Sequence, residues 1–84
     1  MVLTEMKQGE AGLVYKLAGG REMTRRLEAL GLRTGKKVKK VSSLFERGPV
    51  VLELNGRLIA IGHGQARRIY VKMEAEADEN IIDG

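Results

Sequence analysis

The chain contains no cysteine and one histidine in 84 residues. Without cysteine it has no disulfide framework, no thiolate metal site and no thiol nucleophile. The lone histidine, His63, sits in Gly62-His63-Gly64 with no carboxylate close in sequence. It is therefore a weak candidate metal ligand, and a histidine in a surface turn is the favoured reading. Acids beyond residue 73 could reach it, or hold a divalent ion weakly by themselves. Ser42 and Ser43 have only His63 as a possible base, so no nucleophile–base pair assembles and the chain reads as a non-enzyme. Aromatic residues are also scarce: Tyr15, Phe45 and Tyr70 are the whole set. Long apolar runs are missing too. Val50 to Leu52 and Leu58 to Ile61 are far too short to span a bilayer. The first residues, Met-Val-Leu-Thr-Glu-Met-Lys, lack the apolar segment of a signal peptide, and a cytoplasmic location is expected.

Charge is plentiful but unevenly placed. All fifteen Lys and Arg lie in residues 1–73 with six acids, a balance of +9, while the other five acids give residues 74–84 a balance of −5. A basic body suits an anionic partner such as nucleic acid, lipid headgroups or an acidic protein. A solvated charged coat explains it about as well. The length suits one small domain, residues 1–73, burying roughly 60% of its unfolded surface. Residues 74–84 are expected to be a disordered acidic tail.

The stretch from Gly20 to Val41 organises the rest. Met23, Leu27 and Leu30 stand at i, i+4 and i+7, one face of a short helix. Gly31 follows as a left-handed stop, and Leu32 is placed to fold back on the helix. Arg33-Thr34-Gly35 is a turn, and Lys36 to Val41 a strand whose Val38 and Val41, three apart, call for a bend or bulge. Before the helix, Leu3 to Met6 is apolar enough to dock on the body. Ala11 to Leu17 is a strand whose Leu13/Tyr15/Leu17 alternation argues for one inward face, but Val14 sits on the other, so either the facing is ambiguous or the strand bulges. Met6-x-x-Gly9 and Leu32-x-x-Gly35 look like two uses of one turn. After the helix, Ser42 to Gly48 is a loop in which Phe45 is expected to cover the barrel mouth.

Pro49 to Leu54, Asn55-Gly56 and Arg57 to Ile61 form a hairpin with a type I′ turn. A two-residue loop sets its register: Leu54 opposite Arg57, Leu52 opposite Ile59, Val50 opposite Ile61. The opposite face then carries Val51, Glu53, Leu58 and Ala60, with more apolar residues than an outer face needs. Gly62 to Ala66 is a turn or one helical turn, and Arg68 to Lys72 closes the sheet with Ile69 and Val71 inward. These elements describe a mainly β, small SH3-like barrel with one short α-helix between the first and second barrel strands.

Two apparent motifs fail. Gly31 to Lys37 has three residues between its glycines where a phosphate loop has four, and Lys37 stands where a Ser or Thr is needed. Gly62-His63-Gly64 lacks a third glycine. Lys36, Lys37, Lys39 and Lys40, with Arg25, Arg26 and Arg33, could form a basic patch. With so few aromatics to stack bases, such a patch suits weak, backbone-only nucleic-acid binding.

Several blocks occur in order: Gly9-Glu10-x-Gly12-x-Val14, then Arg26-Leu27-x-x-Leu30-Gly31-Leu32-x-x-Gly35-x-x-Val38. Gly48-Pro49-Val50 with Leu52, Asn55-Gly56, Leu58-x-x-Ile61 and Ala66-x-x-Ile69-x-Val71 follow. In these the chain resembles the FeoA family, small cytoplasmic SH3-like proteins of ferrous iron uptake. The resemblance implies a non-enzymatic accessory that docks on the cytoplasmic part of FeoB, the membrane ferrous iron transporter, and modulates it. It also implies weak transition-metal binding, and no other cofactor. The barrel is similar to the C-terminal domain of metal-dependent repressors, though no helix-turn-helix domain is present. The structural motif residues are Leu27, Leu30, Gly31, Leu32, Gly35, Asn55 and Gly56. The expected partner surface is Leu58, Val51 and Ala60, with Arg57, Arg25 and Arg26 as a charged rim. A free-standing basic barrel that binds nucleic acid is the alternative. The oligomeric state stays open.

Overall fold

A computed structural model describes residues 1–43 and 48–73. Phe45 and the acidic residues 74–84 lie outside the described residues. A 3-10 turn, Leu3–Glu5, leads into β1 (Ala11–Leu17) and helix α1 (Gly20–Ala29). Strands β2 (Lys37–Ser43), β3 (Val50–Leu54) and β4 (Arg57–Ile61) follow, then the single turn α2 (His63–Ala66) and β5 (Ile69–Met73). Neighbouring strands are antiparallel in the order β4-β3-β2-β1-β5. This is the expected SH3-like arrangement with its helix between β1 and β2. The second and last strands are each displaced by one or two residues from the expected bounds, as strand ends commonly are.

The hairpin has the register that its Asn-Gly turn demands. Leu54 pairs with Arg57, Leu52 with Ile59 and Val50 with Ile61. Asn55 and Gly56 have φ of 54° and 78°, both positive as a type I′ turn needs. Val50, Leu52, Leu54 and Ile61 are buried, with Ile59 packed partly against them. The two turns before β1 and β2 are indeed alike. Glu10 N–H donates to Lys7 O and Lys36 N–H to Arg33 O, while the N–H groups of Gly9 and Gly35 donate to Lys40 O and Val14 O. Met6 and Leu32 anchor the two turns in the core.

Helix α1 ends as a Schellman motif. Leu32 N–H donates to Leu27 O and Gly31 N–H to Glu28 O, both at 2.9 Å, and Gly31 has φ of 93°. Leu27 and Leu32 are buried and Met23 partly so. Leu30 corrects an expectation: it is 40% exposed. The helix has already ended at Ala29, and the reversal at Gly31 gives the inward place to Leu32.

A second correction concerns β1. Val14 is the buried residue, whereas Leu13 and Tyr15 are 36% and 45% exposed. The register against β5 shifts between Val14 and Lys16, so Tyr15 is the extra residue of a bulge. The bulge lets Val14 and Leu17, three apart, both face the core. β2 has the same device: the register against β3 shifts between Lys40 and Ser42, so half-buried Val41 is the extra residue of a second bulge and not a second inward partner of Val38.

Lys40 is the third correction. It shares the inward face with Val38 and is 5% exposed, so it contributes nothing to a surface patch. Its Nζ donates to the carbonyls of Met6 (2.6 Å), Thr4 (3.2 Å) and Leu3 (3.4 Å). The ammonium thus fastens the 3-10 turn over the core, with Leu3 fully buried beneath. Burial lowers the Lys40 pKa from its ordinary value, and nearby Glu10 opposes this by attraction.

Two outcomes are expected. Leu27→Ala, at the only fully buried position of α1, should lower the free energy of unfolding in denaturant by about 2–5 kcal/mol. Lys40→Met should cost about 1–3 kcal/mol, because it strips donors from carbonyls of the 3-10 turn. The penalty of burying the ammonium is full below the lowered folded pKa of Lys40. It fades as pH rises from there to 10.5, the ordinary value, where the unfolded chain still holds the proton. Wild type should therefore gain stability relative to Lys40→Met over that interval. A difference that is flat or falling with pH would show that Lys40 is not held at a desolvation cost.

Candidate interaction surfaces

Period-2 alternation puts three kinds of chemistry on the outer face of the sheet. At one end is the hairpin. Leu58 lies opposite Glu53 and Ala60 opposite Val51. Leu58 is 65% exposed, more than any other large hydrophobic among the described residues. Ala60 is exposed and Val51 half-buried. Because β4 is an end strand of the sheet, Leu58 stands at a margin that an incoming surface can reach.

Arg57 belongs to the inward set, and its Nη2 donates to Leu30 O at 2.7 Å, so it ties the hairpin tip to the helix end. A cation there also complements the negative end of the helix dipole. Arg26 lies 3.5 Å from Glu22 in an open i,i+4 pair, and Arg25 is exposed on the same helix. The bond recorded between helix and hairpin is that of Arg57 rather than of Arg25 or Arg26.

The middle of the outer face is charged. Lys39 pairs with Glu53 in register, and both line a surface groove of about 590 Å³ with Lys37, Ala11 and Asn55. Lys36, Lys37 and Lys39 are exposed, so three of the four expected patch lysines of this run are on the surface.

At the other end of the sheet is a cluster that sequence reasoning missed. The rings of Tyr15 and Tyr70 meet edge to face, with centroids 6.0 Å apart and planes at 61°. Lys16 Nζ lies 5.6 Å from the Tyr70 centroid and Lys72 Nζ 5.7 Å from that of Tyr15. Leu13 pairs with Lys72 on one side and Lys37 on the other. The signal was present in the sequence: Val14 breaks the Leu13/Tyr15/Leu17 alternation, and reading Val14 as inward turns both exposed residues out.

His63 opens α2 and is half-buried. Among the described residues no three His, Asp or Glu side chains come together. No helix among the described residues is long and apolar enough to cross a membrane.

The FeoA domain family matches residues 1–73. A protein of Methanocaldococcus jannaschii, provisionally named Fe(2+) transport protein A, is 35% identical over 74 residues, which cover 88% of each chain. The solution structure of a FeoA protein from Chlorobium tepidum superposes with a TM-score of 0.80 at 32% identity, over 87% of this chain and 70% of that one. IdeR of T. acidophilum shares the fold over a third of its length, with a TM-score of 0.78 at 22% identity, 87% of this chain and 33% of that one.

Arg57→Ala should cost about 0.5–1.5 kcal/mol, the usual worth of a hydrogen bond, and should speed amide exchange at Gly31 and Leu32. Unchanged exchange at both would mean that Arg57 does not brace the helix end.

Proposed function

The chain belongs to the FeoA family, and on that premise we propose that it is a non-enzymatic accessory of ferrous iron uptake that acts in the cytoplasm. It docks on the cytoplasmic part of an FeoB-type membrane transporter and modulates transport. One observation carries this reading: Leu58, 65% exposed on the outer face of an end strand. Val51 and Ala60 extend the apolar surface, and Lys39 and Glu53 border it with charges of both signs. An apolar centre with a polar border suits a transient interface. Fully burying a leucine is worth about 1.5–3 kcal/mol, enough for one anchor of such a contact.

Nucleic-acid binding is the second reading, supported by the balance of +9 in residues 1–73. The pair of Tyr15, exposed, and Tyr70, half-buried, adds little to it. Lys16 and Lys72 already lie over their rings, which leaves less open π-face for a base.

Leu58→Glu is expected to abolish binding to the purified cytoplasmic part of the cognate transporter while changing stability by less than about 1 kcal/mol, as surface substitutions usually do. Retained binding by the folded variant would move the interface elsewhere. Tight, sequence-selective nucleic-acid binding that survives moderate salt would favour the second reading.

A further inference from the structure

The cluster at the β1–β5 end has no part in that docking surface. Its two lysines are not loose surface chains. Each ammonium is held over a tyrosine ring, so two cations stand at set positions beside the exposed Leu13 and Tyr15. A complementary occupant would bring carboxylates and at least one apolar side chain.

The chain itself contains such a segment. Residues 74–84 carry Glu74, Glu76, Asp78, Glu79 and Asp83, the apolar pair Ile81-Ile82, and no Lys or Arg. They follow directly on Met73, the last residue of β5, the strand that bears Tyr70 and Lys72. We propose that residues 74–84 fold back over this face. Their carboxylates meet Lys16 and Lys72, and Ile81-Ile82 covers Leu13 and Tyr15.

Reach and charge both favour this. The eight residues from Met73 to Ile81 can span up to about 28 Å. The return from Met73 to Tyr70 is three strand residues, about 10 Å. Direct tethering also gives the segment an effective concentration on the order of millimolar, so weak contacts suffice. The ion pairs are exposed, and salt should loosen them.

The absence of cysteine makes the test clean. Asn80→Cys in the full chain accepts a nitroxide label while keeping all five acids and both isoleucines. At low salt, the amide signals of Leu13 to Leu17 and Ile69 to Lys72 should lose intensity. Those of Arg57 to Ile61 should not. The loss should reverse at high salt and in the Lys16→Gln/Lys72→Gln variant, whose signal dispersion reports that it is folded. Intensity loss confined to residues adjoining the label, or centred on the Lys37/Lys39/Glu53 groove or on the hairpin, would overturn the proposal. So would loss that appears between differently labelled molecules in an equimolar mixture, since the occupant would then be a second copy.

Discussion

A five-stranded sheet can enclose a core in so small a domain only by bending, and here two bulges allow the bend. At Tyr15 and at Val41 one extra residue is inserted, in β1 and β2, which are adjacent in the sheet. Each bulge resets the inside–outside alternation, so residues three apart share a face. Val14 and Leu17 then meet the same core as Val38, Leu52 and Ile69. The insertion that lets the sheet curl also leaves Tyr15 on the outer side beside Tyr70. Core formation and the chemistry of that outer face thus have one cause.

The inner face has a weak place at the 3-10 turn, whose short helix satisfies few of its own carbonyls. Lys40 supplies the missing donors. An ammonium offers three N–H groups and no acceptor, which suits three converging carbonyls. Desolvating the charge works against this and lowers the Lys40 pKa. The arrangement persists because leaving those carbonyls without donors costs free energy too.

These particulars explain what was legible in the sequence. The hairpin register, the Schellman stop and the paired turns were all readable, because each rests on local backbone geometry with a demanding residue: Asn-Gly, Gly31, Gly9 and Gly35. The facing of β1 was not, since alternation holds only while the ladder is unbroken, and the residue pattern marks a bulge without saying on which side of it the chain faces in. Lys40 was misplaced because lysine in a run of lysines reads as solvated charge. Its partners are carbonyls more than thirty residues away, and no spacing rule reveals them. Leu58 followed from the hairpin register alone, whereas the Tyr15–Tyr70 contact needed the β1–β5 pairing.

The outer face also bears on how contact and stability divide in a domain with so little core. Leu58 and the Tyr15–Tyr70 cluster occupy opposite ends of one ladder, separated by β2 and β3 with the charged pair Lys39 and Glu53 between. In strands of alternating face, a change on the outer side leaves the inner packing untouched. Residues at the two ends share no partner, so changes there should act additively. A small marginal domain gains from that separation. It can expose Leu58 to one surface and Leu13 with Tyr15 to another without drawing on the leucines and valines that hold it folded.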